Sequence, residues 1–221
     1  MTDPNILNFG SVTDPLHGVN ARNIEPKLIW NEIAQKSYKK YNYHCAACGE
    51  LPKYVEAHEI IKPIGNHKFS YLYEEPLCRF CHLAIHPGYM NIQISENNMS
   101  VEDGFNIYTR AFNLLLEAGL PVNFNLIGNF NAVFPSLLDT PDCYSNLLSS
   151  GLLLEIPILY KEYPEEYLNI NDVSSEEWCT YRLIYKEKEY GPVCTKENHS
   201  KFWANNGTKK AKSILKNRVG E

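Results

Sequence analysis

The chain has 221 residues, 44% hydrophobic and 21% charged, a balance that suits a folded protein and excludes wholesale disorder. A net charge of −5 excludes a uniformly basic nucleic-acid binder, so any such surface has to be local. No run of about 18 apolar residues is present to span a bilayer, and the opening MTDPNILNFGSVTDPLHG lacks the pattern of a secretory signal. A cytoplasmic protein without membrane contact is expected.

In chain order, residues 1–25 mix Asn, Asp, Pro and Gly without apolar periodicity and read as an extended N-terminal arm. Pro26 opens a helix over 26–41, because proline is tolerated at a first helical position and Leu28, Ile29, Trp30, Ile33, Ser37 and Tyr38 roughly follow helical spacing. Tyr54 to Ile61 reads as a strand, and Arg79 starts a short helix that Pro87-Gly88 ends. A loop over 87–100 leads to a helix at 101–118, whose apolar stripe is Phe105, Tyr108, Phe112 and Leu115 and whose stop is Gly119 with Pro121. Residues 120–160 are apolar and broken by Gly and Pro, with no assignable element. Thr180 to Val193 resembles two short strands around Lys186–Lys188, and Thr208 to Val219 a basic helix. The class expected is α+β, in three stretches: the arm 1–25, a zinc domain 26–95, and an accessory region 96–221 of mixed α/β character.

Seven cysteines without an export signal argue against a disulfide framework. Four fall in two CxxC pairs, Cys45/Cys48 and Cys78/Cys81, a spacing that suits two knuckles closing on one tetrahedral zinc. Three of the seven histidines, lying between and after these pairs, are not easily explained by that zinc. His82 and His86 are four apart, so a helix sets them on one face, where they can share an ion. His58 sits in the strand with Glu59 next to it, and alternation sends those two to opposite faces unless a bulge intervenes. Together the histidines read as a second, three-ligand metal centre with open positions.

His44-Cys45-x-x-Cys48-Gly49, then Val55-Glu56-Ala57-His58-Glu59-Ile60, then Leu77-Cys78-x-x-Cys81-His82-x-x-x-His86 resembles the HNH nuclease family, in its zinc-stapled form of the ββα-metal fold. The likeness covers about residues 28–90. It implies a structural zinc on Cys45, Cys48, Cys78 and Cys81, and a catalytic divalent ion such as Mg²⁺, Mn²⁺ or Zn²⁺ on His58, His82 and His86. It also implies phosphodiester hydrolysis, with double-stranded DNA as the expected partner and restriction or anti-phage defence as the setting. Glu59 stands where most relatives carry the histidine that activates water, which makes it the candidate base, with His67 as a second candidate. The family's central Asn has no clear counterpart: Asn66 matches in type but lies early in the loop, and Tyr73 or Glu74 is nearer the place.

Residues 196–221 carry seven basic side chains against two acidic ones. Lys209, Lys210, Lys212, Lys216 and Arg218 could grip a phosphate backbone while Trp203 stacks on a base; a solvated terminal helix is the plainer alternative. The acidic stretch 155–189 serves solubility, repulsion of DNA or a partner protein. A protein partner or a second copy of the chain is expected to restrain the activity. The rival reading of the whole chain is a zinc-stabilised DNA-binding or assembly module that does not cut.

Overall fold

The computed structural model describes residues 2–9, 14–65, 67–134 and 173–219. They form two compact units interleaved along the chain. The first takes 2–9, 38–58 and 76–134, and the second takes 14–37, 59–75 and 173–219. Asn66 and Cys143 lie outside the described residues, as does most of the acidic stretch.

The structure is a mix of helices with one four-stranded sheet. Helices α1 (Ala21–Ile24) and α2 (Lys27–Lys40) precede strands β1 (Glu56–Gly65) and β2 (Lys68–Leu77). Helices α3 (Arg79–Ile85), α4 (Pro87–Ser95), α5 (Val101–Glu117) and α6 (Phe124–Val133) follow. After them come α7 (Ser175–Trp178), β3 (Arg182–Tyr185), β4 (Lys188–Tyr190), α8 (His199–Ala204) and α9 (Gly207–Val219). The sheet order is β1-β2-β3-β4. Strand β3 runs parallel to β2, with Lys68, Phe69 and Ser70 opposite Arg182, Leu183 and Ile184. It then turns through Lys186 and Glu187, both left-handed, into antiparallel β4.

The N-terminal stretch is not the extended arm that its composition suggests. Pro4–Asn8 and Asp14–Leu16 form single 3₁₀ turns, and α1 follows them. Ile6, Leu7, Leu16, Val19 and Ala21 are fully buried. Short polar residues start these turns: Asp3 accepts the amide of Asn5 at 3.1 Å, and Asn20 accepts that of Asn23 at 2.9 Å. Residues that read as loop punctuation are therefore caps around apolar anchors.

A second difference lies after α3, where 87–95 is a helix and not a loop. Pro87 occupies its first turn, so it starts α4 as well as following α3. Helix α5 forms as its sequence predicts. Ser100 and Asp103 make a reciprocal capping box, with Ser100 Oγ accepting the Asp103 amide at 3.0 Å. Ile107, Tyr108, Ala111, Phe112 and Leu115 line its buried face. They pack with Leu83, Ile85, Met90, Leu126, Phe130 and Phe134 into the core of the first unit.

In the second unit the core holds Leu16, Val19, Trp30, Ile60, Leu183, Tyr185, Tyr190, Ala211 and Leu215. Gly18 has a backbone that favours glycine (φ 77°), and a Cβ there would meet the Trp203 ring at 2.3 Å. That ring also stacks on His17, with centroids 4.2 Å apart. The Leu16-His17-Gly18 step is thus the seat for a tryptophan from α8.

Candidate metal centres

The first CxxC pair sits on a tight turn. The amide of Cys45 donates to Glu50 O at 2.8 Å, that of Gly49 donates to Cys45 O at 2.9 Å, and Gly49 is left-handed. The second pair opens α3: Cys78 is its N-cap and accepts the Cys81 amide at 3.5 Å. The amide of Ala46 donates to Pro76 O at 2.7 Å, which ties the turn to the end of β2 just before Cys78.

The four sulfurs lie within 4.8 Å of one another, close enough to hold one zinc ion. Sγ of Cys48 and Sγ of Cys78 are 3.8 Å apart. Four sulfurs at about 2.3 Å from a tetrahedral zinc would be spaced at about that distance. The four sulfurs are also electrostatically coupled to one another. Hydrogen bonds from Cys48, Cys78 and Cys81 hold the Cys45 thiol far below its ordinary range. Contacts with Cys45, and then with the other cysteines, push Cys81 far above it. Four such thiols cannot all ionise side by side until a metal takes the charge.

The second cluster is made of nitrogen. His58 points from β1, His82 lies in α3 and His86 is the residue that ends it; their ligand atoms lie within 4.8 Å of one another. His58 Nδ1 and His86 Nε2 are 3.2 Å apart. Two nitrogens each about 2.0–2.1 Å from one tetrahedral ion would be separated by roughly this distance. His58 is buried, and its Nε2 has no hydrogen-bond partner among the described residues. Burial, and then the neighbouring His86 and His82, push its imidazole well below the usual value. A neutral, desolvated imidazole is the form that binds metal.

Sequence spacing alone does not single out two residues that hold this cluster. Glu56 Oε2 accepts from His82 Nδ1 at 2.7 Å. Period-two alternation puts Glu56 on the His58 face, a signal present in the sequence. Asn129, buried on α6, donates to Ala84 O at 3.3 Å and to Ile85 O at 3.1 Å. It thereby satisfies the last carbonyls of α3 just before His86. Nothing in the sequence near His86 points to a residue so distant in the chain.

Other residues singled out from the sequence go elsewhere. Glu59 leaves β1 on the opposite side from His58, and its carboxylate accepts the amides of Ala21 at 2.9 Å and Arg22 at 3.2 Å. Burial, opposed by these bonds, raises its carboxyl to about 7. His67 Nδ1 is 2.7 Å from Thr180 Oγ1, its Nε2 is 3.0 Å from Glu177, and its ring stacks on Tyr181. It joins the β1–β2 turn to the start of β3 and is not one of the clustered histidines. On α9, Lys209, Lys210 and Lys216 are exposed and Lys212 is half-buried. Arg218 donates to Gly191 O and Pro192 O, and the Trp203 ring is packed on His17 and not held out for a base.

Comparison with protein-family models, curated proteins and solved structures finds no match. Among the described residues, no helix is long and apolar enough to cross a membrane.

Glu74, in the second unit, gives a pH dependence. Burial, and then the nearby Glu59 carboxylate, raise its carboxyl to about 7, and Tyr71 donates its hydroxyl to Oε1. The unfolded chain has an ordinary carboxylate value of about 4.3. Between the two values the folded state binds more protons, so stability falls as pH rises through that window. Glu74→Gln is expected to flatten the decline in melting temperature between pH 5 and 8. Parallel wild-type and variant curves would assign the decline to other groups.

Proposed function

We propose that the chain is a metal-dependent endonuclease of the HNH type, hydrolysing phosphodiester bonds in double-stranded DNA, with restriction or anti-phage defence as its setting. One observation carries the reading: His58 on the first strand of a hairpin, His82 on the helix that follows and His86 at that helix's C-cap bring three ligand atoms within 4.8 Å. The β-β-α order, with a four-cysteine cluster at the hairpin base and helix start, supports the resemblance in its parts.

A divalent ion bound by these histidines would neutralise charge building on the phosphate and on the leaving oxygen. The chain's part is to hold the three imidazoles in place, with burial of His58 disfavouring its protonated form. Glu59 has the pKa range that suits a general base, about 7. Its oxygens accept amides of α1 on the side of β1 opposite His58, so a base role requires both release from Ala21 and Arg22 and reorientation toward the histidines. That engagement favours a second reading, a zinc-stabilised DNA-binding or assembly module without hydrolysis.

A cleavage assay separates the two. Supercoiled plasmid, linear duplex and single strands are incubated with Mg²⁺, Mn²⁺, Ni²⁺ or Zn²⁺. Metal-dependent cutting is the expected result; folded, zinc-bound protein that cuts nothing with any metal favours the binding module. The tail makes a separate prediction. Changing Lys209, Lys210 and Lys216 to Ala should lower the salt dependence of duplex binding by about one unit of log–log slope per phosphate contact removed. An unchanged slope would return α9 to the role of a solvated helix.

A further inference from the structure

Glu56 lies two residues before His58 on β1, so both side chains leave the same face of the strand. Its Oε2 meets Nδ1 of His82 at 2.7 Å, in a partly sheltered place where the two side chains are 36% and 18% exposed. The amide of Ala57, between Glu56 and His58, donates to the Tyr38 hydroxyl at 3.1 Å, which anchors this end of the strand. A neutral imidazole carries a single N–H. Pairing Nδ1–H with a carboxylate leaves the lone pair on Nε2. The His82 ring makes edge contacts with both His58 and His86, at centroid separations of 5.4 and 4.6 Å.

We propose that Glu56 is a positioning residue of the histidine centre, fixing the His82 tautomer and ring orientation so that Nε2 is the metal-binding atom. The inference rests on reading His58, His82 and His86 as a metal centre, and it adds a fourth residue that acts only through His82. The carboxylate charge also makes Nε2 a stronger donor. Loss of a partner of this kind costs about 10–100-fold in metal affinity. Glu59, the other carboxylate on this stretch of β1, is engaged by the amides of Ala21 and Arg22 and does not replace it.

The test titrates Co²⁺ alone into the full chain carrying zinc on its four cysteines, following visible d–d absorption. His58→Ala provides the blank. Glu56→Ala is expected to weaken Co²⁺ binding at least about tenfold, while zinc content and melting temperature stay at wild-type values. Glu56→Gln, which keeps an acceptor but loses the charge, should fall between Glu56→Ala and wild type. Glu56→Asp should recover part of the affinity. Wild-type Co²⁺ affinity and band position in Glu56→Ala would overturn the role of Glu56 and leave the metal centre standing. If Glu56→Ala does not fold, Glu56→Gln decides: affinity equal to wild type overturns the proposal, and a measurable loss supports it. Wild-type protein that binds no more Co²⁺ than the His58→Ala blank would overturn the metal centre itself, and the role of Glu56 with it.

Discussion

Replacing His82 by Ala is expected to lower plasmid cleavage by about three orders of magnitude, the scale of losing a preorganised electrostatic stabiliser. His82 is one of the three clustered nitrogen donors and contributes no sulfur to the cysteine cluster. Its side chain is partly exposed, in contrast to the buried Leu83, Ala84 and Ile85 beside it on α3. Zinc content and the melting transition should therefore survive the change. Cleavage is measured at saturating metal, and again at raised metal concentration to detect a purely weakened site. Undiminished cutting by the folded variant would remove the histidines from the chemistry.

Cys78→Ser is expected to have the opposite signature, acting on the fold itself. Cys78 belongs to the four-sulfur cluster and also caps α3 by accepting the Cys81 amide. Structural zinc contributes an apparent 10–16 kcal/mol, roughly, in small zinc frames. That equals or exceeds the whole stability of a typical domain, about 5–15 kcal/mol. The variant should lose its bound zinc and the cooperative melting of the unit that contains α3, read by metal analysis and by circular dichroism. A protein that keeps wild-type zinc content and melting temperature would show that Cys78 does not hold a structural metal.

The candidate centres were more legible in the sequence than the fold around them. Cysteine pairs in CxxC and histidines four apart on a helix are local patterns, and local geometry fixes where such side chains point. Alternation correctly separates His58 from Glu59, and the same rule places Glu56 beside His58. What was not legible depends on partners far along the chain. The pairing of β2 with β3 joins Lys68 to Arg182, and nothing in either segment names the other. Asn129 reaches the end of α3 from α6, a shorter gap but still one that no local pattern bridges. The expectation of a base at Glu59 rests on position in a motif, and position in a motif does not foretell the bonds its carboxylate makes to the amides of Ala21 and Arg22. Pro87 and the Asn- and Asp-rich start are ambiguous for another reason: proline and short polar residues begin helices as readily as they end them.

Among the described residues, two side-chain clusters of unlike chemistry could each hold an ion, sulfur alone in one and nitrogen alone in the other. X-ray absorption at the zinc and cobalt edges tests this directly, on the full chain loaded first with one equivalent of zinc and then with cobalt. Zinc should show about four sulfur neighbours at roughly 2.3 Å, and cobalt only nitrogen and oxygen neighbours at about 2.0–2.1 Å. A mixed sulfur–nitrogen shell around either metal, or a chain that retains no cobalt beyond the zinc site, would contradict the two-centre arrangement on which the proposed nuclease depends.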